Sequence, residues 1–141
     1  MKKAVCIIIC FLMTLCFVSC GGNVSCGGNV RNVKTKVVAS NIYTQKDIDS
    51  AIDVIKREFA LEWSGCALTE IYYAGDGCAK EFQEWADLYN ADEGIVLKSS
   101  FTVDFTGGDG SLEPNSTYDD WEWILVRSKG GHWKYMTHGV C

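Results

Sequence analysis

Two histidines, His132 and His138, stand six residues apart near the end of this 141-residue chain, with Cys141 three residues beyond the second. Imidazole and thiolate are zinc-ligand types. Along an extended strand, however, six residues cover about 20 Å, too far for one ion to be shared, so surface side chains are expected and no metal site is assigned. Gly107-Gly108-Asp109-Gly110-Ser111-Leu112 has the composition of a calcium-binding nonapeptide, but Leu112 occupies a ligand position and the unit occurs once. A loop is expected there. Asp119, Asp120 and Glu122 flank Trp121 as an acidic, aromatic rim, and Asn115-Ser116-Thr117 reads as a turn. Cys66 and Cys78 would close a loop of about a dozen residues, for about 3 kcal/mol if bridged. Free cysteine is also among the most buried residue types; the bridge and a pair of free thiols both stay open, with free thiols favoured. No cofactor is expected.

Met1-Lys2-Lys3 precedes an apolar run from Ala4 to Val18, broken only by Thr14, and Ser19-Cys20-Gly21-Gly22 follows. A positive start, a short apolar stretch and a small residue before the cut make a secretory signal over residues 1–19. The run is shorter than the ~20 residues that span a bilayer as a helix. It resembles the lipobox of bacterial lipoproteins, in which a cysteine after a small residue takes a diacylglyceryl thioether and becomes the new N-terminus. Phe17 stands where leucine is usual. The resemblance makes Cys20 the lipidation site: Cys16 follows the bulky Leu15, and Cys26 follows the polar Asn23-Val24-Ser25. SCGGNV occurs twice in residues 18–30, and the second copy reads as a small duplication at the start of a tether. Acyl chains contribute ~0.8 kcal/mol per buried methylene, so two or three anchor stably. The expected address is the outer face of the bacterial cell membrane.

Of thirteen basic residues, Lys2 and Lys3 belong to the leader, which leaves eleven against eighteen acidic ones, a net charge of −7. An acidic chain without a basic stripe lacks the charge that nucleic-acid binding needs. Arg31, Lys34 and Lys36 form the one local basic run and read as a solvated linker.

Residues 20–43 carry no helical period and read as a flexible tether, whose root-mean-square span is roughly 25 Å. Residues 44–141 read as a single domain. Thr44 and Asp47 make a capping box, with Tyr43 and Ile48 in the staple positions, and Ile48, Ile52, Ile55 and Phe59 form one apolar stripe. A strand is predicted from Cys66 to Tyr73, and a second helix bears Phe82, Trp85, Ala86 and Tyr89, with Gly94 as its stop. From Ile95 the period becomes two: Ile95, Leu97, Ser99, Phe101, Val103 and Phe105 point one way, in a long half-buried strand. Trp121 to Arg127, a turn at Lys129-Gly130-Gly131 and His132 to Val140 complete the pattern. Two helices then cover the open face of one antiparallel sheet, an α+β roll.

Phe59, Cys66-Ala67-Leu68, Ile71-Tyr72-Tyr73, Ile95-Val96-Leu97, Ser100-Phe101, Tyr118 with Trp121-Glu122-Trp123-Ile124-Leu125-Val126-Arg127, Trp133 and Gly139 together resemble a family of small Gram-positive lipoproteins. That family is known as a domain of unknown function. The resemblance covers the whole mature domain, and its most specific part is the Tyr-x-x-Trp-x-Trp-Ile-Leu-Val-Arg stretch. It implies an NTF2-like, or cystatin-like, roll: a cone of helices against a curved sheet. Family members tend to finish in glycine plus an aromatic, whereas this chain finishes Gly139-Val140-Cys141. No catalytic residues come with the family. By analogy of fold, Asp104, Tyr118 and His138 are the residues to test for acid-base chemistry of the isomerase or dehydratase kind, although fold alone does not transmit function. The favoured expectation is a non-catalytic domain that binds a small molecule or protein at the cell envelope, and the rival is a small envelope enzyme.

Overall fold

The computed structural model describes residues 27–140. The leader, Cys20, Cys26 and Cys141 lie outside the described residues. The elements run β1 (Lys34–Lys36), α1 (Gln45–Glu62), β2 (Cys66–Tyr73), a 3-10 turn (Asp76–Cys78), α2 (Ala79–Leu88), β3 (Glu93–Val103), β4 (Thr117–Arg127) and β5 (Lys134–Gly139). The five strands form one sheet in the order β1-β2-β3-β4-β5. Two helices pack on it, so the class is α+β. The sheet is mixed rather than antiparallel throughout, because β1 runs parallel to β2 through Lys34↔Glu70 and Lys36↔Tyr72.

That correction comes from the stretch expected to float. Asn29 N–H donates to the Cys66 carbonyl at 2.8 Å, and Leu68 N–H donates back to Asn29 at 2.9 Å. Gly28 N–H donates to the Phe59 carbonyl at 3.0 Å. The Asp76 carboxylate accepts from Ser40 and from the Asn41 N–H, each at 2.6 Å. Residues 27–43 are therefore laid along the open edge of β2, where the unpaired N–H and C=O groups of a sheet edge find partners. The tether expectation fails for them because glycine and valine without a helical period also describe a chain that pairs in extended form.

α1 begins as its sequence dictates. Thr44 Oγ1 accepts from the Asp47 N–H while the Asp47 carboxylate accepts from the Thr44 N–H, a complete capping box. Ile48, Ala51, Ile52, Ile55 and Phe59 are the buried stripe. α2 buries Phe82 and Ala86 but stops before Gly94: Asn90, at φ 52°, takes the left-handed conformation that closes a helix C-terminus. Gly94 belongs to β3, where a Cβ would strike the Phe82 carbonyl oxygen. It is the close seat of α2 on the sheet.

The alternation predicted in β3 holds from Leu97 through Ser99 and Phe101 to Val103, whereas Gly94, Ile95, Val96 and Leu97 are buried without a break. The strand ends at Val103, which leaves Phe105 exposed. Ser99, fully buried, accepts from Trp123 Nε1 at 2.8 Å, so a polar residue on the core face is satisfied. Each antiparallel ladder carries a register shift: Thr69 is extra on β2, Asp119 and Asp120 together oppose Ser100, and Met136 is extra on β5. Such bulges bend strands and increase twist. From Trp121 to Arg127 every residue of β4 is buried, so both faces of the sheet are covered there, where a single covered face was expected.

Gly27 and Gly28 enter beneath the end of α1. A Cβ on Gly28 would meet the ring and carbonyl oxygen of Phe59, whereas one on Gly77 would meet nothing within 4 Å. Gly28→Ala should therefore lower stability by about 2 kcal/mol, as overpacking does, while Gly77→Ala stays within about 0.5 kcal/mol of the parent. Urea denaturation of the two variants checks this, and equal midpoints would refute the docking of the N-terminal segment.

Candidate functional site

The core of the domain is filled with rings. Phe59, Phe101 and Trp123 are fully buried, and Trp63 stacks on Phe59 at 5.2 Å between centroids. What the rings leave open is a cavity of about 400 Å³ between the C-terminal end of α1, the loop after β3, β4 and β5. Its walls include Glu58, Glu62, Trp63, Trp121, Tyr135 and His138.

Trp63 follows α1 directly and caps it through its N–H to the Phe59 carbonyl. Its ring stands nearly perpendicular to Trp121, at 5.8 Å and 84°. His138 meets Trp63 at 5.0 Å and stacks on Trp121 at 5.6 Å. Tyr135 lies parallel to His138 at 6.0 Å, and its hydroxyl bonds His138 Nδ1. In a regular strand residues 135 and 138 would face opposite ways. The extra residue Met136 puts Tyr135 opposite Leu125 and His138 opposite Trp123, so both side chains reach the same face.

Burial, the Glu58 charge and Tyr89 push the Tyr135 hydroxyl up to about 12, so it keeps its proton. Burial lowers His138 below its ordinary 6.5 although the residue as a whole is exposed. We assign the Tyr135 hydroxyl as donor to Nδ1, which places the proton of the neutral imidazole on Nε2. Cys66 shares the cavity, but burial and then Asp104 and Asp109 push its thiol up to about 11. At neutral pH it is a thiol, not a nucleophilic thiolate.

The three residues expected to act together do not meet in one cavity. Asp104 lines a second groove, of about 1010 Å³, with Gly27 to Arg31 and Phe105, and its carboxylate accepts from the N–H and hydroxyl of Thr106. The Tyr118 hydroxyl accepts from the Glu113 N–H at 3.1 Å, and its ring stacks on Phe101 at 5.1 Å. Only His138 faces the aromatic cavity. His132 lies before β5 and is exposed. Among the described residues no three His, Cys, Asp or Glu side chains form a metal-binding group.

Cys66 and Cys78 are both free thiols. One opens β2 and the other lies beyond its far end. An eight-residue strand separates its ends by over 20 Å, against the less than about 7 Å between Cα atoms that a disulfide requires.

Comparison with protein-family models, with curated proteins and with solved structures finds no match to this chain. The site is therefore argued from its own residues.

Sequence reasoning passed over Glu58, Glu62, Trp63 and Tyr135. A signal for the first two exists. They are like charges four apart near the end of α1, whose last turn holds no basic residue, and such a pair costs a few tenths of a kcal/mol against a helix end that is itself negative. A local rule broken without structural gain is a mark of function.

His138 ties stability to pH. Because its folded pKa is depressed, its contribution is complete above the ordinary 6.5 and is lost as pH falls through the lowered folded value. Denaturation midpoints measured from about pH 7.5 to about 5.0 should fall, and His138→Gln should flatten that slope. An unchanged slope in the variant would contradict the assignment.

Proposed function

We propose that this chain is an exported lipoprotein, acylated on Cys20 and held on the outer face of the cell membrane, whose domain binds a small ligand without transforming it. The Lys-rich start, the short apolar run and Ser19-Cys20 support the anchor. The order of two helices and four antiparallel strands, with bulges that bend the sheet, supports an NTF2-like roll of the kind the small Gram-positive lipoproteins resemble.

The observation that carries the binding reading is the aromatic cavity beside β5. Its volume of about 400 Å³ lies within the range of small-molecule sites. Two groups of its wall are engaged: the thiol of Cys66 is kept protonated, and His138 Nδ1 is occupied by Tyr135. A general base needs a free nitrogen or oxygen within reach of a substrate proton, and Asp104, the other candidate, lines the groove on the N-terminal segment instead. Rigid rings with a few polar groups are what recognition requires.

Mass spectrometry of the mature protein extracted from membranes should find an N-terminal cysteine, residue 20, carrying a diacylglyceryl group. Cys20→Ala should release the chain from the membrane fraction. A wild-type product that is unacylated and water-soluble would overturn the anchor.

A further inference from the structure

We propose that the cavity bounded by Trp63, Trp121, Tyr135 and His138 is a site for a small organic ammonium ion. This rests on the binding reading above and names the chemistry of the ligand.

The walls supply two things a cation uses. Aromatic rings attract it through their quadrupoles, within about 6 Å of the centroid, and the perpendicular pair Trp63 and Trp121 lines the cavity together with Tyr135. Carboxylates supply the opposite charge: Glu58, Glu62 and Asp109 line the same cavity, and no lysine or arginine lines it. Neither Glu58 nor Glu62 has a hydrogen-bond or ion-pair partner among the described residues. Asp109 is engaged only by the N–H and hydroxyl of Ser111, both on Oδ1.

Two groups on opposite walls register the resulting negative field. Tyr135 is raised first by burial and then by Glu58, and Cys66 first by burial, then by Asp104 of the neighbouring groove and by Asp109. His138 is neutral at pH 7 and so does not oppose a positive ligand. The Glu58 and Glu62 pair at the negative end of α1 is a repulsion that the empty domain bears and a bound cation relieves.

A further polar group on this wall lacks a partner. Trp121 is nine-tenths buried, and its indole N–H has no acceptor. Leaving such a donor unmet is costly in a folded protein, and the wall that carries it is also the wall of the cavity.

The test uses choline and ethanolamine as probes, with 3,3-dimethyl-1-butanol as the uncharged isostere of choline, titrated into the purified full chain. Tryptophan fluorescence and calorimetry read the binding, since Trp63 and Trp121 form the corner. At least one ammonium probe should bind saturably, and the neutral isostere about tenfold more weakly or worse. The double variant Glu58→Gln, Glu62→Gln should lose about tenfold in affinity for that probe while melting at or above the parent temperature, which separates lost binding from lost folding. Equal binding of the isostere, or undiminished binding by the double variant, would overturn the cation and leave a ligand pocket standing. If neither ammonium probe binds, the cation proposal fails; if acetate, glucose and the isostere also leave fluorescence unchanged, the binding reading fails with it.

Discussion

One guanidinium ties the fold together. Arg127, the last residue of β4, donates from Nε to Glu93 at 2.6 Å and from Nη1 to Asp47 at 2.8 Å, while its plane lies 4.1 Å from the centre of the Trp133 ring. Glu93 opens β3, Asp47 completes the capping box of α1 from the N3 position, and Trp133 precedes β5 and donates its indole N–H to the Asp47 carbonyl. Arg127 itself is only 8% exposed, whereas the two carboxylates keep 28% and 27% of their surface. The pairing is thus charge-assisted and forked, yet softened by water on the acidic side. A lysine could not replace it, because a point charge cannot serve two directions and a ring face together. The same Asp47 also closes the capping box with Thr44, so the start of α1 and the end of β4 are fixed by one carboxylate. Both partners hold Asp47 below the usual carboxylate range.

With that corner fixed, α1 runs toward the opposite end of the sheet and delivers Phe59 and Trp63 over Phe101 and Trp123. A bulge interrupts each of the three antiparallel ladders of the sheet. The bulge on β5 is decisive for the cavity's chemistry, since it alone brings Tyr135 and His138 to the same side. The bulge on β4 has a second effect: Asp120 adopts φ 53° and accepts from the Tyr72 hydroxyl at 2.8 Å, which ties β4 to β2 across the intervening strand.

The elements with a local signal were legible in the sequence. The capping box at Thr44, the stripe from Ile48 to Phe59 and the period of two from Leu97 to Val103 each follow from spacing and reappear in the fold. Features fixed by distant contacts were not. Nothing near Gly94 says that it belongs to a strand under α2 rather than to a helix stop, and nothing near Lys34 says that it pairs in parallel with β2. The candidate site suffered in the same way. Alternation predicts facing only until a residue is inserted, so one bulge was enough to hide Tyr135 behind its own parity. His138 was visible as a residue type, but its neighbours Trp63 and Trp121 come from two elements that the chain brings together only on folding.

The twice-written SCGGNV acquires a mechanical sense from the docking of its second copy. Gly27, Gly28 and Asn29 are held under the end of α1 and beside Cys66. With the acyl chains on Cys20, as proposed, a single copy would have put the greasy thiol directly against that packed glycine, forcing lipid headgroups and protein into the same volume. Writing the motif again adds six residues, which sets Cys20 seven residue steps from Gly27, at most about 25 Å. That is comparable to the breadth of a domain this size. Anchored in the way proposed, the domain would sit close enough to the bilayer for its orientation there to matter.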